Sequence, residues 1–115
     1  MPWCYISWDK HIIQYLNNGV LVIRYEDLLL NPEAECQKIL SNIGIERSKE
    51  QIAVAVKNQS FGTIKEKFKL SGDRRRENFL REGKSSGWKQ KLTAEKKTFL
   101  TNRFFDTLST LNYLD

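Results

Sequence analysis

Apolar residues recur at helical spacing in five stretches of this chain, and each stretch has its own start signal. The first covers residues 8–16, where Ser7 can serve as the N-cap and Asn17-Asn18-Gly19 can end the helix because these residues tolerate a left-handed backbone. The second follows Asn31-Pro32-Glu33, which places a proline and an acid in the first turn, near the positive end of the helix dipole. Both patterns predict helices with one apolar face.

The other three stretches also begin at residues that favour helix starts. Ser48 and Gln51 have the spacing of a capping box, and Ser60 can cap a short helix that ends near Phe68. Thr93 begins the last stretch, whose apolar stripe runs to Leu111 and suits a single helix that faces a core. The pattern therefore predicts five helices in all.

One segment departs from the helical pattern. Residues 20–23 form an unbroken apolar run between Gly19 and the acidic pair Glu26-Asp27, which is typical of a strand buried on both faces of a parallel sheet. An unpaired strand leaves backbone groups without partners, at about 1–3 kcal/mol for each buried group. No other segment offers a comparable run. We therefore expect a helix-rich α/β fold whose other strands lie elsewhere or come from a second chain, and open strand edges that favour self-association.

Length and composition are those of a globular protein. The 115 residues are 40% hydrophobic and 11% aromatic, which suffices for a modest core in a single domain. No stretch has the length of a membrane span and residues 3–8 do not resemble a signal peptide, so we expect a cytoplasmic protein without a membrane partner. Cys4 and Cys36 lack the spacing of a metal site or a redox pair, which favours two reduced thiols.

The net charge of +5 is concentrated in one part of the chain. Residues 65–91 hold ten Lys/Arg against four Asp/Glu, and the stretch "FLREGKSSGWKQKL" mixes four of these cations with glycines, serines and Trp88. A solvated basic loop would explain the charge alone, but the glycines and the tryptophan favour a loop that holds a ligand. One interpretation is a small basic helical module that binds nucleic acid or another polyanion through Arg74-Arg75-Arg76.

Three separate stretches carry a more specific resemblance. In order, "VLVIRYEDLLLNP", "NQSFGTIKEKF" and "FLREGKSSGWKQKLT" resemble the C-terminal half of the cytosolic-type sulfotransferases, which use 3′-phosphoadenosine 5′-phosphosulfate (PAPS) as sulfuryl donor. "SWDKHIIQYL" is similar to a helix of the same family. The resemblance covers essentially the whole chain and implies that residues 1–115 are the C-terminal segment of a single domain with a fold similar to that of P-loop kinases.

The resemblance also implies what this segment lacks. In the family, the N-terminal half carries the phosphosulfate loop and the histidine that acts as general base, and no such loop occurs here. His11 does not fall at the catalytic position, so we expect a surface or packing residue and assign no catalytic residue. The isolated chain is therefore expected to be an inactive fragment of an enzyme, needing its N-terminal half as a partner.

Four residues stand at positions where the family site holds the adenine, and three of them match the family residue. Tyr25, at the end of the predicted strand, matches a tyrosine that hydrogen-bonds the base, although a core aromatic would explain it nearly as well. Ser60 and Phe61 match the pair that orients and stacks the base. Gln59 stands where the family usually has Thr, so any contact from its side chain would have a different geometry.

A second segment matches the part of the family site that holds the 3′-phosphate. Arg81 matches an arginine whose planar guanidinium pairs with this phosphate, and Gly83 a glycine whose backbone N–H approaches it. Phe79 and Leu80 lead into this segment and complete the predicted cofactor site. Glu82 replaces the usual Lys and is expected to face solvent or to pair with a neighbouring cation.

The remaining expectations concern the reaction of the complete enzyme. The resemblance implies transfer of the sulfuryl group to a hydroxyl or amine of a small-molecule acceptor, with 3′-phosphoadenosine 5′-phosphate (PAP) as product and no metal. Trp88 is expected to pack the basic loop against the domain and to make no ligand contact. The composition of the chain does not indicate which acceptor is used.

Overall fold

The computed structural model describes residues 6–80, 84–85 and 87–114, except for the side chain of Phe79. Within these residues the chain forms nine helices, which are α1 (Trp8–Asn17), α2 (Tyr25–Leu30), α3 (Pro32–Asn42), α4 (Lys49–Asn58), α5 (Phe61–Leu70), α6 (Arg74–Phe79), α7 (Trp88–Lys91), α8 (Ala94–Arg103) and α9 (Phe105–Thr110). The chain divides into two compact units. Unit 1 combines Met1–Val22 with Trp88–Asp115, and unit 2 is Ile23–Gly87.

The predicted strand is wrong, because the described residues contain no strand. Residues 20–24 are irregular, and Tyr25 begins α2 instead of ending a strand. Val20 and Leu21 are partly exposed, and the backbone N–H of Val20 donates back to the carbonyl of Tyr15 at 3.0 Å. A strand exists only through hydrogen bonds to a neighbouring strand, and no described segment supplies one.

The predicted helix starts are confirmed wherever they rest on a local cap. Ser48 and Gln51 form both bonds of the capping box at the start of α4, Gln51 N–H to Ser48 Oγ at 3.2 Å and Ser48 N–H to Gln51 Oε1 at 3.0 Å. Thr93 Oγ1 accepts from the backbone N–H of Lys96 at 3.3 Å at the start of α8. Ser7 stands at the N-cap of α1 without a capping bond from its side chain.

The last predicted helix is two helices in the structure. Phe104 leaves helical geometry with φ −116° and ψ 24°, which ends α8 and allows α9 to begin at Phe105. Its ring packs edge-to-face on Trp8 with the centroids 5.5 Å apart, and α9 packs against α1. The break therefore coincides with a tertiary contact inside unit 1.

Unit 2 is a series of helices in which each helix from α2 to α6 packs on the next. Ile52 of α4, only 4% exposed, is the one buried apolar side chain among the described residues. Glu35 of α3 is also buried, and its carboxylate accepts a hydrogen bond from the ammonium group of Lys38 one turn later. This bond raises the pKa of Lys38 above its usual value.

Little of the chain is removed from water. Among the described residues only Ile52, Glu35 and Thr107 are buried. The accessible surface is 10041 Å², whereas a folded monomer of 13.5 kDa exposes about 6,500 Å². None of the described helices is both long and apolar enough to cross a membrane.

Candidate functional site

The candidate site is built on the helix pair α5–α6. Gly72 has φ +72°, a left-handed conformation that suits glycine, and it turns the chain between the two helices. Asp73 Oδ1 then accepts from the backbone N–H of Arg76 at 3.1 Å and caps α6, while Asp73 Oδ2 lies 3.3 Å from Arg76 Nε. The Arg76 guanidinium stands 5.7 Å over the Phe68 ring of α5. The first two contacts stabilise the start of α6, and the contact of Arg76 with Phe68 joins the two helices.

The residues predicted to orient and stack the base lie at the junction between α4 and α5. Gln59 is the C-cap of α4, and its backbone N–H donates to the carbonyl of Ala55 at 3.1 Å. Ser60 is the N-cap of α5, and Phe61 is its first residue. Gln59 and Ser60 are exposed, whereas Phe61 is half-buried. These three residues are consecutive in sequence and form one exposed corner of unit 2.

The Ser60 side chain has a partner that sequence reasoning missed. Its Oγ accepts from the backbone N–H of Thr63 at 3.4 Å and lies 2.7 Å from Thr63 Oγ1. The sequence signal is the spacing of three residues between an N-cap and a side chain in the first helical turn. The exposed corner therefore presents two hydrogen-bonded hydroxyl groups.

The Phe61 ring lines an open groove of about 740 Å³ between α5 and α6. Lys65 and Lys69, spaced by one helical turn, also line it, and the ammonium group of Lys65 stands 5.7 Å from the centroid of the Phe61 ring. Glu77 lines the groove from α6, and Glu66 from α5. The groove thus combines an aromatic ring with both positive and negative groups.

The segment predicted to hold the 3′-phosphate follows α6 directly. The backbone N–H of Leu80 donates to the carbonyls of Arg76 and Glu77, at 3.4 and 3.2 Å, and its ψ of 90° ends the helix. Phe79 is the last residue of α6, and its side chain lies outside the described part of the structure. Arg81, Glu82 and Gly83 lie outside the described residues.

Tyr25 belongs to a helix that does not contact α5 or α6 among the described residues. It is the first residue of α2 and is 50% exposed. Among the described residues, α2 packs on α3 and makes no contact with α5. The structure therefore does not bring Tyr25 next to Ser60 or Phe61, and its part in the site stays a prediction.

Trp88 and His11 belong to unit 1. Trp88 begins α7 and is 51% exposed, with the ammonium groups of Lys89 and Lys97 each 5.7 Å from the centroid of a Trp88 ring. Its predicted role in packing the basic loop against the domain stays a prediction, because residues 81–83 and 86 lie outside the described residues. His11 is exposed and packs edge-to-face on Tyr15 at 4.7 Å, as expected of a surface residue. Nowhere in the described part of the chain do three His, Cys, Asp or Glu residues form a group that could hold a metal ion.

Comparison with known proteins places this chain among sulfotransferases. Residues 4–111 match the family described as "Sulfotransferase domain". The chain is also 30% identical over 101 residues to "Sulfotransferase 1A1" of Canis lupus familiaris, an alignment that covers 77% of this chain and 34% of that protein. The chain therefore spans about a third of the length of the curated relative it matches. No solved structure matches it significantly.

Proposed function

The chain belongs to the sulfotransferase family, and from that premise we propose that residues 1–115 supply the adenosine and 3′-phosphate part of a PAPS site. PAPS donates a sulfuryl group to an acceptor hydroxyl or amine in the complete enzyme, and PAP leaves. This segment holds the nucleotide and performs no proton transfer. Its contribution to the rate is positioning of the donor for in-line attack.

One observation carries this proposal: Phe61 and Glu77 line the same groove. The groove therefore reaches from Phe61 at the start of α5 to the half of α6 from which the chain continues through Leu80 into Arg81. Because α5 packs on α6, we expect the segment after α6 to lie within reach of the base-stacking residue, although the two are about twenty residues apart in sequence. The segment with Phe61 can stack the base and the segment with Arg81 can pair with the 3′-phosphate, so that together they can bind a nucleotide.

The chemistry of the groove supports a nucleotide as its ligand. The flat Phe61 ring can stack a base, a contact worth about 1–3 kcal/mol. Lys65 and Lys69 can each pair with a phosphate group, while Glu66 and Glu77 in the same groove balance their charge. The positive end of the helix dipole of α5 is at Ser60 and favours a negative ligand as well.

The exposed apolar surface supports a further part of the proposal, which is that the rest of a sulfotransferase domain packs against this chain. Leu30 is 76% exposed and Leu70 81% exposed, although large apolar side chains are usually buried in a finished core. The surface of 10041 Å² exceeds that of an ordinary monomer by roughly half. Self-association through the same surface is the competing outcome.

The proposal is tested by titrating the chain with PAP and with adenosine 5′-monophosphate while recording NMR spectra. We expect PAP to bind more tightly, because only PAP carries the 3′-phosphate. Phe61→Leu keeps an apolar side chain but removes the flat ring. It should weaken the binding of PAP by about 1–3 kcal/mol, the contribution of base stacking. Phe61→Tyr keeps the ring and is the matched control. Equal affinity for the two nucleotides would refute the proposal.

The exposed arginines of α6 support a second candidate function, binding of a nucleic acid or another polyanion. Arg74 and Arg75 form no ion pair with any described residue, and residues 57–77 hold seven Lys/Arg against three Asp/Glu. Polyanion binding releases counterions, so its affinity falls steeply with salt. A titration with single-stranded RNA at several salt concentrations separates the two candidates, since a steep slope with no preference for PAP favours the second.

A further inference from the structure

A cavity of about 590 Å³ lies between α3 and α4 in unit 2 and shares no lining residue with the α5–α6 groove. Its apolar lining consists of Leu30, Pro32, Ala34 and Ile52. Leu30 is 76% exposed, so part of this apolar lining is in contact with water. Because burial of apolar surface is favourable, an apolar side chain from outside is stabilised when it enters the cavity.

Two charged side chains line the same cavity. Glu33 lies near the start of α3 and Lys49 is the first residue of α4, and both are exposed. Within the part of the chain that the structure describes, neither forms an ion pair. An occupant that complements the cavity therefore has an apolar centre, a cation that can pair with Glu33 and an anion that can pair with Lys49.

The chain itself carries a group with this pattern at the end of α5. Leu70 is the last residue of the helix and is 81% exposed, the largest exposed fraction of any large apolar side chain in the described residues. Glu66 and Lys67 precede it by four and three residues, which places them one turn away on the same side of α5. Both are exposed, and neither has an ion-pair partner among the residues that the structure describes.

We propose that the 115-residue chain associates head to tail, with Leu70 of one copy in the α3–α4 cavity of the next copy. In this arrangement Glu66 can pair with Lys49. Lys67 can pair with Glu33, so both charges of the cavity are matched. The interface is heterologous, because each copy contributes a different surface to the contact. The rest of a sulfotransferase domain competes for the same surface, so the proposal concerns the chain by itself.

Association of this kind also regulates the proposed nucleotide site. Leu70 and Glu66 line the α5–α6 groove, so a second copy docked on Leu70 covers part of that groove. A bound nucleotide and a docked copy therefore exclude each other. Because such coupling is reciprocal, PAP should dissociate the assembly and association should weaken the binding of PAP. This step alone rests on the proposed function.

Analytical ultracentrifugation of the chain over a range of concentrations tests the interface. The mass of wild type should rise above 13.5 kDa with concentration. Leu70→Ser should weaken the association about ten- to hundredfold, the effect of leaving one large apolar side chain unburied. Val54→Ser is the matched control and should change nothing, since Val54 is 59% exposed on α4 but does not line the cavity.

Charge reversal tests the pairing between the copies. Glu33→Lys and Lys67→Glu should each weaken the association about two- to fivefold, the range for an exposed ion pair. The variant that carries both changes should recover, because the pair is restored with opposite polarity.

A mixture of two variants tests the head-to-tail arrangement. Leu70→Ser keeps an intact cavity, and Ala34→Arg fills the cavity with a long side chain but keeps Leu70. Each variant alone should be monomeric at concentrations where wild type associates. Their mixture should form a dimer of about 27 kDa, twice the 13.5 kDa of one chain, and nothing larger.

Three results would overturn the inference: a wild-type chain that stays monomeric at every concentration, association that Leu70→Ser leaves unchanged, or a mixture that grows beyond the dimer. If PAP bound the chain without dissociating the assembly, the coupling to the nucleotide site would be wrong. If the chain showed no preference for PAP over adenosine 5′-monophosphate, the proposed function and the coupling would fail together, while the interface would still stand on the measurements made without nucleotide.

Discussion

Asp73→Ala should unfold α6 and thereby disrupt the candidate site. Asp73 Oδ1 caps the helix through the backbone N–H of Arg76 at 3.1 Å, and Oδ2 lies 3.3 Å from Arg76 Nε. Loss of an N-cap costs about 0.5–2 kcal/mol. The ion pair adds only about 0.2–1 kcal/mol, because the Arg76 side chain is mostly exposed and water screens the charges. We therefore expect a loss of roughly 0.7–3 kcal/mol in the local stability of α6.

A helix of six residues is only marginally stable without tertiary support, so a loss of this size should unfold α6. The measurement is amide hydrogen exchange at Glu77 and Leu80, whose N–H groups donate to Asp73 and Arg76 carbonyls. Exchange at both amides should accelerate in Asp73→Ala. Binding of PAP should weaken in the same variant, since α6 forms one wall of the groove.

Two control variants separate the loss of the α6 cap from the loss of the ion pair and from a general loss of stability. Asp73→Asn keeps an oxygen that can cap α6 and loses only the ion pair, so exchange should change little. Ser48→Ala removes a cap of similar strength from α4 and should leave the exchange of α6 amides unchanged. If Asp73→Ala left the protection of Glu77 and Leu80 intact, the cap would not hold α6 and the reasoning would be wrong.

Two further predictions concern the phosphate contact and the pH dependence of stability. In a complete enzyme that contains this segment, Arg81→Ala should weaken the binding of PAP by about 1.5–3 kcal/mol and leave the binding of adenosine 5′-monophosphate unaffected. Arg81→Lys should recover only part of the lost affinity. Calorimetry with both nucleotides measures these changes. The Glu35 carboxylate raises the pKa of Lys38, so the folded state holds that proton more tightly than the unfolded state. This stabilisation is fully present below the unfolded pKa of 10.5 and is lost as pH rises through the pKa of Lys38 in the folded state. Denaturant unfolding across that pH range should show this decrease in the free energy of unfolding in wild type and not in Lys38→Met.

Local features of the sequence determined where most helices begin. The caps of α4, α5 and α8 join residues three apart, so Ser48, Ser60 and Thr93 could be recognised without any knowledge of the fold. The family was also recognisable, because its motifs are short stretches in a set order, and the comparisons confirm it. Ser60 and Phe61 were found as candidate residues in the same way.

Tertiary structure decided what local pattern could not. The apolar run of residues 20–23 has the composition of a strand, but strand formation depends on a neighbouring strand that the described residues do not supply. The break at Phe104 coincides with the contact of its ring on Trp8, a residue far away in sequence. In the candidate site, the groove that unites Phe61 with Glu77 exists only because α6 packs back on α5. Contacts between distant residues depend on the whole packed chain, and for that reason no local pattern contains them.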